Sequence, residues 1–161
     1  MSDEATPTAD PTRVVADPGV LVADLLLGGE ARDALDHVRR HSWMTLVASD
    51  FLLDVAEGAI GELASPSLAT DWRSRIDADT VSVAHPSEDH PALASAYQGG
   101  AAHLLTFDEE LASAKANRAI QPHMQVSIRS PDAFARLFDA QSLYESVHED
   151  DYPGPDCDPR G

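Results

Sequence analysis

An α/β fold, with helices on both sides of a mainly parallel sheet of four or five strands, follows from three observations. Apolar runs of four to six residues alternate along the chain with stretches of helix length. Alternation of that kind joins successive strands by helical crossovers and makes them parallel. Hydrophobic residues make up 43% of the 161 residues, which is enough to fill one ordinary core. No internal repeat and no low-complexity linker divides the chain, so a single body over residues 13–147 is expected, with an acidic tail on either side.

The elements follow in order. Residues 1–12 are rich in Pro, Thr, Asp and Ala without periodicity and read as a disordered tail. Arg13 to Ala16 is a first buried strand, ending at Asp17. Val20 to Leu27 has helix length and stops at Gly28-Gly29. Glu30 to His41 carries Ala31, Leu35 and Val38 on one face, an amphipathic helix. Trp43 to Ala48 is a strand, and Ser49 is an N-cap for a helix from Asp50 to about Ala64. Ser67 to about Ile76 is helical, Thr80 to Val83 is a strand, and Glu88 to about Gln98 is a helix ending at Gly99-Gly100. His103 to Thr106 is a strand, with a helix from about Asp108 to Asn117. Met124 to Ile128 is the last strand. Ser130-Pro131 then opens a helix, a cap followed by proline in its first turn. Residues 148–161 hold three prolines and five acids and read as a loose, Pro-rich acidic tail.

Charge narrows the classes of function. There are 28 acidic residues against 11 basic ones, a net charge of −17. Bulk positive charge therefore cannot be the source of affinity for nucleic acid or anionic membrane. Lys115 is the one lysine, the other ten basic residues are arginines, and Asp outnumbers Glu 19 to 9. Such Asp-rich, Lys-poor composition resembles proteins of salt-loving archaea, where near-saturated salt shortens the Debye length to about 3 Å or less. One cysteine, Cys157, excludes an internal disulfide and a cysteine-built zinc site. No apolar run approaches the roughly 20 residues of a membrane span. No basic segment followed by an apolar one opens the chain, so a cytosolic protein is expected.

Placed on this map, several acids fall at strand ends. Asp17 directly follows the first strand, and Asp108 follows His103 to Thr106 after one residue. Asp54 and Asp89 lie early in helices that follow other strands. In a doubly wound sheet such places converge on the carboxyl end, where ligands bind. Converging carboxylates repel one another unless a hard divalent cation neutralises them, and Mg²⁺ or Mn²⁺ suits oxygen ligands. The same residues also admit plainer roles: Asp17 as a helix cap, Asp54 on a solvated helix face.

Four blocks carry a family resemblance. Val14-Val15-Ala16-Asp17-Pro18-Gly19, followed by an apolar helix, resembles the opening of PIN domains. Val47-Ala48-Ser49-Asp50-Phe51-Leu52-Leu53-Asp54 is similar to their second block, a strand, a Ser and a helix bearing an acid five residues on. Asp89-His90-Pro91-Ala92-Leu93-Ala94-Ser95-Ala96 looks like the third. Gly100-Ala101-Ala102-His103-Leu104-Leu105-Thr106-Phe107-Asp108 is close to the Gly-Ala-Asp-x-Leu-Val-Thr-x-Asp block, the most specific of the four. The resemblance implies a three-layer α/β/α PIN-like fold and a Mg²⁺- or Mn²⁺-dependent endoribonuclease of the kind found in toxin–antitoxin pairs. It implies Asp17, Asp54, Asp89 and Asp108 as catalytic acids. Asp17, Asp89 and Asp108 would hold the metal, and Asp54 would be a further ligand or the base for the attacking water. It also implies an RNA substrate, a small antitoxin-like partner and a homodimer. The chain departs from the pattern at Pro18-Gly19, which replace Thr or Ser and Asn, at Asp54 where Glu is usual, and at Ala102, which replaces an Asp. Those departures keep open a second expectation, a PIN-like module that binds or scaffolds without cleaving.

The remaining candidates are weaker. His37 and His41 have the i,i+4 spacing of metal ligands, yet an exposed helix end is the simpler expectation. His90 adjoins the candidate site, and Ser49 is as readily a cap as a site residue. Arg39-Arg40-His41 and Arg73/Arg75 are the only basic concentrations, with Asp36, Asp71 and Asp77 near to neutralise them. Trp43 and Trp72 are expected to pack in the body.

Overall fold

The computed structural model describes residues 9–85 and 90–160. Among the described residues the elements run in the order β1 (Asp10–Ala16), α1 (Pro18–Leu26), α2 (Gly29–Arg39), β2 (Thr45–Ser49), α3 (Asp50–Leu63), α4 (Pro66–Asp79), β3 (Thr80–Val83), α5 (Pro91–Gly99), β4 (Ala101–Leu105), α6 (Ala114–Ile120), β5 (Ser127–Arg129), α7 (Pro131–Leu137) and α8 (Ala140–His148). The five strands form one sheet in the order β3-β2-β1-β4-β5, and every pairing is parallel. Helices flank it in the three-layer α/β/α arrangement that the alternating pattern predicts.

Both faces of the sheet are covered, and β1 shows why. Val14, Val15 and Ala16 point alternately to opposite faces, yet all three are buried. Consecutive buried residues are the mark of a strand sandwiched between two helical layers. Crossovers between parallel strands are right-handed. The chain steps one way from β1 to β2 to β3 and then returns to β4, so α5 lies on the face opposite α1. Accordingly α5 packs on β1, β2 and β4, while α1 packs on α2 and α2 on α7.

Two neighbouring glycines seat α5. Gly100 has φ +60°, the left-handed cap conformation, and its amide bonds back to Ala96 and Tyr97. At Gly99 the need is space, since a Cβ there would lie 2.4 Å from Cγ1 of Val47 on β2.

Several boundaries depart from expectation. β1 begins at Asp10, so residues 10–12 belong to the sheet and not to a tail; Met1 to Thr8 lie outside the described residues. α4 runs on to Asp79. The helix expected from Asp108 begins as a series of turns, and α6 starts only at Ala114, capped by Ser113, whose hydroxyl accepts from the Ala116 amide. β5 is three residues long because only Ser127 to Arg129 reach the β4 ladder. α8 was not anticipated.

The loose C-terminus is also corrected. The segment after α8 is a strap bound across the end of α2. Tyr152 Oη meets His41 Nε2 at 2.6 Å, and the Asp156 carboxylate accepts from the amide and hydroxyl of Ser42. Arg160 forms a fork with the Asp36 carboxylate at 3.0 and 2.7 Å. Asp36 in turn pairs with Arg39, which also holds the buried Asp24. Burial by itself would raise the Asp36 pKa, but the hydrogen bonds from Arg160 and Arg39 outweigh it and hold the carboxyl below its ordinary value. His41, expected at an exposed helix end, is buried beneath this strap, and His37 packs on Phe134 and Phe138.

Candidate functional site

The reversal of strand order falls between β1 and β4, and in doubly wound sheets the crevice outside the carboxyl ends at such a point is where ligands bind. Asp17 leaves β1 there and Asp108 follows β4 there. The ladder continues past the strands proper: the Asp17 amide donates to Leu105 O at 2.9 Å, and the Thr106 amide to Arg129 O at 3.0 Å. Thr106 is thereby held buried between the two acids. Its hydroxyl donates to Asp17 Oδ2 at 2.7 Å and accepts from the Asp108 amide at 3.0 Å.

Each acid keeps an oxygen open. Asp17 is the N-terminal flank of α1 but makes no side-chain cap bond, and its Oδ2 is taken instead by the Thr106 hydroxyl. Among the described residues, its Oδ1 takes no hydrogen bond. Asp108 Oδ1 accepts from the amides of Glu110 and Leu111, an Asx-type turn that holds the loop, and among the described residues Oδ2 takes no hydrogen bond. Two carboxylates are hard oxygen donors, and Mg²⁺ is commonly bound by one or two carboxylates with water and substrate phosphate completing its shell. Those two carboxylates have the donor chemistry that a hard divalent cation takes. No group of three or more His, Cys, Asp or Glu able to hold a metal forms among the described residues.

The other two candidates differ. Asp89 lies outside the described residues. Asp54 is drawn to Arg73 of α4, whose Nη1 is 2.6 Å from Asp54 Oδ1. Asp50, Asp54 and Glu57 form one stripe of α3 at i, i+4 and i+7, while Leu52, Leu53, Ala56 and Ile60 form the buried one. Arg73 gathers that stripe together with Asp77 of its own helix. Burial works against the guanidinium's charge, but its bonds to Asp54 and Asp77 raise its pKa above the ordinary arginine value.

Neighbouring polar residues hold the backbone of this end. Ser49 is buried, its hydroxyl accepting from the Leu52 amide, and its own amide donates to Ser95 Oγ at 3.1 Å. His90 caps α5 through Nδ1, which accepts from the Ala92 and Leu93 amides. Sequence reasoning contained Thr106 within a motif but missed its bridging role, and it set Asp77 beside Arg73 without the three acids of α3. The i,i+4 pair Arg73–Asp77 was the available signal for the hub.

Comparison with known proteins gives one match. The model of a family of unknown function, DUF7384, matches residues 8–160. No curated protein and no solved structure matches. No helix among the described residues is long and apolar enough to cross a membrane.

Proposed function

The chain belongs to DUF7384, a family of unknown function, and from the chemistry at the carboxyl end of its sheet we propose that it is a PIN-like, divalent-metal-dependent endoribonuclease acting in the cytosol. The observation that carries this reading is the Asp17–Thr106–Asp108 arrangement at the strand-order reversal. Asp17 Oδ1 and Asp108 Oδ2 are the atoms that would hold Mg²⁺ or Mn²⁺, with Asp89 as the third acid by resemblance. A bound cation of that kind supplies an activated water and neutralises charge on the phosphodiester. Thr106 turns Asp17 to one orientation and so presents a single oxygen outward. The Asp108 amide donates to the same hydroxyl, and the turn closed on its Oδ1 fixes the second carboxylate. Asp54 is the residue least suited to its implied role as ligand or base, because Arg73 already compensates its charge.

Calorimetric titration with Mn²⁺ in molar KCl, followed by an RNA cleavage assay, tests the proposal. Asp17→Asn should abolish both metal binding and cleavage. Asp71→Asn, on the exposed side of α4, should leave both intact. No heat of binding at millimolar Mn²⁺ would overturn the enzyme reading. The second reading, a PIN-like module that binds without cutting, is favoured by Ala102 and by the engagement of Asp54 with Arg73. Metal binding with no cleavage of any RNA would select it.

A homodimer and a small antitoxin-like partner belong to the same proposal. An open apolar groove of about 580 Å³ between α1 and α3, lined by Pro18, Val22, Leu26, Leu27, Val55 and Leu63, supports an association of this kind. Light scattering of the parent and of Leu63→Asp distinguishes a dimer through this groove from a monomer.

A further inference from the structure

The chain has four phenylalanines, and the structure divides them into two pairs. Phe134 is buried and Phe138 half-buried, both against the α2–α7 side. Phe51 and Phe107 are each 45% exposed. Phe51 stands two residues beyond the end of β2, and Phe107 two residues beyond the end of β4. β1 lies between those strands, so the two residues follow the strands on either side of the one that ends at Asp17. Adjacent strands are about 4.8 Å apart, which sets β2 and β4 roughly 10 Å apart across the site. Phe51 is not a loose surface ring: His85, just past β3, stacks on it with centroids 4.4 Å apart and planes at 15°. A ring held in place costs little further entropy when a ligand covers it.

The charge of the molecule gives these rings a purpose. A nuclease must hold its strand, and the usual source of affinity is release of counterions by basic side chains. At −17 the chain has few cations to give, and Arg13, Arg39, Arg73, Arg136 and Arg160 are in ion pairs with its own acids. Molar salt weakens that source further. Stacking of a base on an aromatic face is contact between uncharged rings, and every base has such a face.

We propose that Phe51 and Phe107 are base-stacking platforms flanking the Asp17–Asp108 site, so that its substrate is single-stranded RNA with bases unstacked from one another. This rests on the ribonuclease reading. The test is fluorescence anisotropy of a labelled single-stranded RNA of about ten nucleotides, a typical site size, with the full chain in EDTA and molar KCl. An abasic strand of equal length is the comparison. The normal strand should bind more tightly than the abasic one. Phe51→Ala and Phe107→Ala should each weaken binding about five- to a hundredfold, the loss of one stack, and Phe51→Tyr should restore it. Both rings are exposed, so thermal melting should confirm that these variants fold. Equal binding of the abasic strand, unchanged affinity in both alanine variants, or no binding by the parent would overturn the inference. Cleavage of the same RNA with Mn²⁺ separates the two readings. Ring-dependent binding without cleavage leaves stacking standing and removes the ribonuclease. Cleavage that is indifferent to both rings does the reverse.

Discussion

Thr106 uses both capacities of its hydroxyl at once, donating to Asp17 and accepting from the Asp108 amide. Thr106→Val is nearly isosteric but removes both bonds and leaves a carboxylate and an amide without their partner. Hydrogen bonds to charged groups contribute about 1.5–3 kcal/mol, so urea denaturation should show a loss of that order. Mn²⁺ affinity should fall with it as Asp17 loses its orientation, and Thr106→Ser should recover both. At Arg73 one guanidinium serves four carboxylates from α3 and α4. Arg73→Ala leaves these acids facing one another. Because the acids are largely exposed, the cost should be modest, about 1–2 kcal/mol in dilute buffer for several surface pairs. It should shrink when salt is added, and melting curves at two ionic strengths check this.

Gly99 and the C-terminal strap decide how whole elements sit. Gly99→Ala places a methyl 2.4 Å from Val47 Cγ1, so α5 must move off β2 or Val47 must shift. Overpacking of this kind costs about 1–3 kcal/mol, measurable as a lowered melting temperature, even though alanine is the better helix former. The strap is held by carboxylates whose pKa values are lowered in the fold. Asp36 is lowered by its arginine partners against burial, and Asp156 by its hydrogen bonds from the Ser42 hydroxyl and amide. For a depressed carboxyl the stabilisation is complete above the unfolded value, ordinarily 3.8, and is lost as pH falls through the lower folded value. The strap should therefore stay bound near neutrality and release on acidification below about pH 4. Limited proteolysis near Tyr152 as a function of pH would register the release, and Asp36→Asn should bring it to neutral pH.

A net charge of −17 on one small body is tolerable when salt screens it. Dialysis from molar KCl to about 0.05 M lengthens the Debye length past 10 Å, so charges repel across most of the surface. The melting temperature should fall on that dialysis and return with KCl. A melting temperature unchanged across the range would count against salt adaptation.

Local patterning alone determined the layered architecture. The strand β3 has the limits the sequence predicts, because three of its four residues, Thr80, Val81 and Val83, are β-branched. The caps Ser49 and Ser130 were legible because a hydroxyl three residues before an unsatisfied amide is a local event. That Asp17 and Asp108 both reach Thr106 follows from strand ends of a doubly wound sheet meeting at one edge. What the sequence could not contain was rotation and reach. Asp54 lies one turn into α3, and whether it turns toward Asp17 or toward α4 depends on which helix packs beside it; Arg73 decided that. Asp36 and Arg160 are 124 residues apart, and only the folded chain brings them together. The strap read as loose because its composition is polar and proline-rich, and no local pattern signals a partner that lies on α2. Periodicity reports which face of an element is buried. It is silent on which polar groups, distant in the chain, are brought opposite one another, and on that point the tertiary structure alone decides.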